Sequence, residues 1–414
     1  MRLTRMPYRR QACQAGGATW KSVSHGRCSG PPTANGATVT PMNSRGKLTA
    51  AVVSALVLAA ALVTVATSQS DASSPPQPTK ITLNSPMYRP VSVNGATDDY
   101  HCTLLDLHLT TNRYVVSSQF FPGSPEDHHA ALFLVPPNLA SDARAANVGG
   151  HGWTCFGEAG LPNLPINEAL STPFLSVWAP GHGADVLPRG TGISLPLGSL
   201  VIMQVHYNML RGDRPVSNKL LVDTVPATTH LQPLTLGLSF APPDIPCPSG
   251  VTGPLCNRAA SVADQARRFG PMAGLFANGI EVACGRDPNN PPAGDTTTCT
   301  WPVAASGYIV RAQAHMHLLG RSFALVLDPG TPQARTVLNV PNYNFDYQKA
   351  YNLAHPVAVT AGEKLQVTCT FDPALGQELP QLRRAPAHFV TWGDGSSDEM
   401  CLGLTWIAKA LPHN

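Results

Sequence analysis

From about residue 100 onward the chain runs in short stretches where apolar and polar positions alternate, broken by Gly, Pro, Asn or Asp. "HCTLLDLHL", "HHAALFLV", "SLVIMQVHYNM", "LTLGLSF", "GYIVRAQAHMHLL", "SFALVLD", "VAVTAGEKLQVTCTF" and "MCLGLTWIA" read as strands, whose successive side chains point to opposite faces. Helical periodicity outside the leader is convincing only in "AASVADQARRF" at 259–269. Many short strands between tight turns predict an all-β chain built as antiparallel sandwiches. The segment "VDTVPATTHLQP" at 222–233 reads as a connector, dividing the β region into domains at 89–228 and 229–414.

One stretch departs from this rhythm. Leu48 to Ala66 is an uncharged apolar run, preceded by Arg45 and Lys47 and followed by the Ser/Pro-rich "SQSDASSPPQPT". That is the layout of an export signal, or of an uncleaved anchor, since the run is about long enough to span a bilayer. Residues 1–68 are therefore read as a leader and 69–88 as a disordered linker. Met42 is a better signal start than Met1. Either reading places the folded part outside the cytoplasm, secreted or held at the cell envelope. The formal charge of +3 then misleads, because eight basic and no acidic residues precede Asp71. Beyond residue 70, 20 basic residues face 25 acidic ones, so nothing there suggests a nucleic-acid partner. No protein partner is indicated, and membrane contact is expected only through 48–66.

Ten cysteines occur, and Cys13 and Cys28 lie before the apolar run. The other eight are an even number in a chain read as exported, and none forms a CxxC, so disulfides are expected rather than a zinc ribbon. Cys247 with Cys256 and Cys284 with Cys299 pair by nearness in sequence.

The candidate chemistry lies in the histidines. On the strand "IVRAQAHMHLL", Arg311, Gln313, His315 and His317 share one face, and Ala312, Ala314 and Met316 the other. Two imidazoles at that spacing, roughly 6–7 Å between Cα atoms, either converge on a metal ion or stand on a half-exposed strand. His128 and His129 are adjacent, so both reach one ion only at a strand end or bulge. His206 shares a face with Gln204 and Asn208 and by itself reads as a structural residue. Met400, by itself, reads as core packing. His101, His108, His151, His182, His230, His355 and His388 are isolated or in loops and take the structural reading. "GDGSSDE" lacks the ligand pattern and flanking helices of an EF-hand.

Taken together and in order, "HCTLLDLHL", "DHHAALFL", "GWTCFGEAG", "VIMQVHYN", "AHMHLLGR", "HPVAVTAGEKLQVTCTF" and "GDGSSDEMC" resemble the copper type II ascorbate-dependent monooxygenases, from about residue 90 to the end. That family includes peptidylglycine α-hydroxylating and dopamine β-monooxygenases. The resemblance implies two jelly-roll β-sandwiches, two copper ions facing each other across solvent, and ascorbate and dioxygen as co-reactants. It places the first copper on His128, His129 and His206 and the second on His315, His317 and Met400. A thioether is a soft ligand suited to Cu(I). It also pairs Cys102 with Cys155 and Cys369 with Cys401, and sets Gln204 beside the first site.

The resemblance implies hydroxylation of a C–H bond. The substrate-anchoring positions depart from the peptide-hydroxylating branch: Gln313 stands where that branch has an arginine, and Leu404 where it has a tyrosine. A small apolar or aromatic substrate is expected in their place. Arg311 is expected at the solvent edge of its sheet. The rival reading is a copper-binding envelope protein of the same fold that catalyses nothing.

Overall fold

A computed structural model describes residues 77–91, 98–156, 159–161, 174–209, 212–380, 382–383 and 385–411. The apolar run at 48–66 and the leader around it lie outside the described residues. Among the described residues no helix is long and apolar enough to cross a membrane. The chain is mainly strand, in several antiparallel sheets.

The first lobe is a sandwich. One layer is a five-stranded sheet in the order Trp153–Thr154, Asp98–Asp106, Leu200–Asn208, Asp127–Val135, Phe174–Trp178. The other contains Thr79–Asn84, Lys219–Pro226, Arg113–Phe121 and Thr191–Leu195, with the short Asp185–Val186 paired to Arg113–Phe121. Leu132, Leu134, Met203 and Val205 meet Phe120, Ile193, Leu220 and Val222 between the layers. The alternate residues Ala131, Phe133, Leu200 and Ile202 are buried too, against Ala140 and Ala143 of the helix Ala140–Ala146. Burial on both faces explains why "AALFLV" and "LVIM" lose the alternation of a half-exposed strand.

The second lobe repeats the plan. Gln232–Phe240, Cys401–Ala408, Gly307–Met316 and Ala350–Val359 form one layer, and Thr296–Pro302, Lys364–Phe371, Gly320–Leu327 and Arg335–Val340 the other. Ala312, Ala314 and Met316 turn into this core with Phe323, Leu325 and Val367, which leaves Arg311, Gln313 and His315 on the opposite face. Cys369–Cys401 ties the two layers together. The lobes share a sheet: Gln232 and Pro233 pair in parallel with Thr191 and Gly192, so strands of both lobes belong to one nine-stranded sheet.

Three local features differ from the sequence reading. Thr79–Asn84, within the expected linker, is an edge strand paired with Lys219–Thr224, and its Leu83 is buried. The run at 357–371 is two strands separated by a turn at 360–363. The helix Pro271–Ala283 has no counterpart in the pattern, because it is apolar nearly all round and carries two glycines. Gly274 has a structural reason: a Cβ there would lie 3.2 Å from Ala266 Cβ, so it lets this helix approach Arg258–Phe269 closely.

The helix pair lies between two disulfides, Cys247–Cys256 and Cys284–Cys299. A buried charged cluster holds it. Arg258 bonds Asp244 at 2.5 Å and Asn278 at 2.8 Å, with Glu281 at 3.5 Å. Burial, reinforced by the neighbouring Asp244, pushes the Glu281 carboxyl up to about 9, and Arg286 and Arg258 offset only part of this. An acid that holds its proton in the folded state above its unfolded value stabilises the fold most below that value. For Glu281 that contribution is complete below about 4.5 and is lost as pH rises through about 9. Denaturant unfolding should therefore show stability falling across this window. Glu281→Gln should flatten the profile and be the more stable protein at its alkaline end.

Candidate metal centre

His128 and His129 open the strand Asp127–Val135 at a bulge. Asp127 pairs with Tyr207 and His129 with His206, so His128 is the extra residue. The bulge breaks strict alternation and lets both side chains reach His206. Ring centroids are 5.0 Å apart for His128–His206, 4.5 Å for His129–His206 and 5.7 Å for His128–His129. His206 Nδ1 and His129 Nε2 face each other at 2.9 Å. The other nitrogen of His206, Nε2, donates to Asp98 Oδ1 at 2.8 Å. Burial alone would raise the Asp98 carboxyl, but His206 and Ser396 outweigh it and the net shift is downward. Tyr100 stacks on the His206 ring at 4.1 Å.

The second pair sits where Gly307–Met316 ends. His315 is on the strand and His317 just beyond it, with rings 5.3 Å apart. His317 Nδ1 donates to the Asp398 carbonyl at 3.0 Å, and a carbonyl can only accept. His315 Nδ1 meets Gln348 Oε1 at 2.6 Å. The Gln348 amide is oriented by its NH2 group, which donates to the Phe345 carbonyl at 2.9 Å, so its oxygen faces His315. Both rings therefore carry their proton on Nδ1 and leave the Nε2 lone pair for a metal. Glu399 fixes the turn by accepting from the backbone N–H of His317, Leu319 and Met400 at 2.9, 2.6 and 3.2 Å.

The two sets do not stand apart across solvent. His129 and His315 lie 6.2 Å apart, centroid to centroid. Phe345 packs against both sets, 4.9 Å from His128 and 6.2 Å from His317. Burial lowers His129, His315 and His317, and for His129 and His317 the neighbouring imidazoles add to the shift. A neutral imidazole is the form that ligates.

Met400 immediately precedes the strand Cys401–Ala408. Its side chain is buried in an apolar cluster with Phe240, Val262, Ile280 and Trp392. Gln204 lies with its amide 3.6 Å from Cys155 Sγ, beside the Cys102–Cys155 bridge. Gln313 and Leu404 are buried, at 2% and 1% exposure. Arg311 corrects an expectation: it is 1% exposed, not at a solvent edge, because Asp185 of the first lobe neutralises it inside the protein.

The residues around the ligand candidates that sequence reasoning missed are Asp98, Tyr100, Phe345, Gln348 and Ser396. Their signal is weak, since each is a single polar or aromatic residue outside any repeating spacing. The carboxylates of "GDGSSDE" are committed elsewhere: Asp398 pairs with Arg268 and Glu399 caps the turn. His101 bonds the His151 carbonyl, His182 the Val177 carbonyl, and His388 the Pro386 and Ser397 carbonyls.

Among the described residues no three His, Cys, Asp or Glu side chains are already spread into a metal-holding geometry. The His129 and His206 nitrogens instead bond each other directly. The donor chemistry nonetheless fits copper: five imidazoles, three with their surplus N–H tied to an acceptor, and a thioether just before the strand that pairs with the one carrying His315.

Residues 294–407 match the family model described as copper type II ascorbate-dependent monooxygenase, C-terminal domain. The matched segment is similar to the C-terminal domain of that family, and the rest of the chain lies outside the match. His315, His317 and Met400 fall inside it, and His128, His129 and His206 outside. Similarity to the mouse DBH-like monooxygenase protein 2 is 31% over 96 residues, covering 23% of this chain and 14% of that protein. The chain thus matches about a seventh of that relative's length. Solved structures overlap only faintly. Allantoicase covers 66% of this chain and 73% of that chain at 7% identity, with a TM-score of 0.16. The infectious bursal disease virus VP2 subviral particle covers 81% and 73% at 9%, with a TM-score of 0.19. Neither bears on the fold. The sandwich of the second lobe rests on its own strands.

The hydrogen bonds fix the tautomers. Long-range proton–nitrogen spectra of the metal-free protein should show His315 and His317 protonated on Nδ1 and His206 on Nε2. The opposite tautomer at His317 would contradict the Asp398 contact.

Proposed function

We propose that this chain is an exported copper monooxygenase that hydroxylates a C–H bond of a small apolar or aromatic substrate with dioxygen and a one-electron reductant such as ascorbate. His128, His129 and His206 hold one copper, and His315, His317 and Met400 hold the other. The observation that carries this reading is the convergence of five imidazoles from two lobes, with three surplus N–H groups taken up by Asp98, Gln348 and the Asp398 carbonyl.

Copper, when bound, supplies the one-electron redox chemistry and the activation of dioxygen. The protein's part is to hold and shield. Asp98 fixes the orientation and tautomer of the His206 ring, as carboxylate partners of ligating histidines do. Gln348 and the Asp398 carbonyl do the same for His315 and His317 without adding a charge. Phe345 packs against both sets. Gln313, on the face of His315, and Leu404, paired with it across the ladder, shape the wall on which a substrate would rest. That wall offers an amide and an alkyl group, and the neighbouring Arg311 is already neutralised by Asp185, which suits an uncharged or aromatic substrate. Four disulfides favour an oxidising compartment.

A second reading, a copper-holding envelope protein without turnover, is favoured by one observation. The Met400 side chain packs with Phe240 and Trp392 in an apolar cluster. Oxygen uptake that depends on both ascorbate and an added aromatic amine would separate the two.

Purified protein loaded with copper should hold two ions per chain, and His315→Ala should hold one. Fewer than two in the native protein, with no loss in the variant, would remove the proposal. Asp98→Ala should weaken the first site about 10–100-fold, the usual cost of losing a ligand's outer partner.

A further inference from the structure

Arg311 is the largest fully buried side chain among the described residues, and its charge is balanced by the other lobe. Nη2 donates to the Asp185 carboxylate. Nη1 donates at 2.9 Å both to the Val186 carbonyl and to Asn352 Oδ1. Asn352 Nδ2 donates to the same Val186 carbonyl at 3.0 Å. Asp185–Val186 is a short strand of the first lobe, whereas Arg311, Asn352 and Trp406 lie on adjacent strands of the second. Trp406 underlies the guanidinium at 5.1 Å. A buried charge deprived of its partner is strongly unfavourable, so this contact resists separation of the lobes far more than an exposed ion pair would.

Its position gives it a task. Arg311 precedes His315 by four residues and shares its face, and His315 is the ring that meets His129 of the first lobe. Elsewhere the lobes touch through Tyr100 with the Asp394 carbonyl and Ser396 with Asp98 at 2.9 Å, both made by the loop before Met400. We propose that the Arg311–Asp185 pair, braced by Asn352, is a clasp that sets the spacing of the two histidine sets and shields them from solvent. Arg311 is a positioning residue: it acts through the register of the strand that carries His315 and touches neither set.

The clasp is tested on metal-free protein by carbethoxylation, with each histidine followed by mass spectrometry. Asp185→Asn should raise the labelling rates of His129 and His315 roughly tenfold, as expected when an interface loses a buried charge pair. His101, within the first lobe, should keep its rate, and Asp185→Glu should restore most of the protection. Asp372→Asn, which breaks the exposed Arg321–Asp372 pair, should change nothing. A folded Asp185→Asn protein with unchanged rates at His129 and His315 overturns the clasp, as does a rise spread equally over His101. If Asp185→Asn does not fold, Asn352→Ala is read the same way, with a rise of about threefold expected for lost hydrogen bonds and an unchanged rate overturning the proposal. The spectroscopic signature is dipolar broadening of the Cu(II) resonance in loaded native protein, lost in Asp185→Asn. That readout rests on the copper reading. Carbethoxylation does not, so labelling that responds in a protein unable to bind copper removes the metal assignment alone.

Discussion

Five imidazoles crowded into one poorly hydrated region can coexist only if they stay neutral and every surplus N–H finds an acceptor. Burial supplies the first condition at His129, His315 and His317 by disfavouring the protonated ring. The second is met for His206, His315 and His317 by three unlike groups: a carboxylate, a side-chain amide and a backbone carbonyl, at Asp98, Gln348 and Asp398. The rest of the site follows from this requirement. The bulge at His128 brings a third ring to the first set, and the end of the strand at Met316 frees His317 to turn toward the loop.

That loop, residues 393–399, serves both sets at once. Its Asp398 carbonyl orients His317, its Glu399 carboxylate collects three backbone N–H groups, and its Ser396 hydroxyl shares Asp98 with His206. Arg268, from the helix Arg258–Phe269, pairs with Asp398 and secures the loop from behind. The two-helix insertion therefore buttresses the histidines from a distance, although it contributes no ligand candidate.

The strands were legible because short apolar or alternating runs sit between turn residues, and the bulge at His128 was foreshadowed by adjacent histidines that could serve one ion only at a bulge or a strand end. The face shared by Arg311, Gln313 and His315 follows from the pleat alone. What lay beyond reading is what depends on partners remote in sequence. Arg311 looks like an edge residue until Asp185, 126 positions away, is placed against it. Gln348 has no local signature, and Asp98 announces nothing until His206 arrives beside it. The helix Pro271–Ala283 was hidden by the absence of a polar face. The open cleft came from the resemblance rather than from the residues. The structure closes it, because aromatic packing and the buried Arg311–Asp185 pair draw the lobes together.

The shared sheet has a mechanical corollary. Among the described residues the strands of the two lobes are laced to each other by two paired positions, Gln232 with Thr191 and Pro233 with Gly192. Proline has no N–H to contribute, so even this seam is thinner than its length suggests. Any bending between the halves would concentrate there, as at the spine of a book. Small rotations about that line would translate into large changes in the gap at the opposite margin.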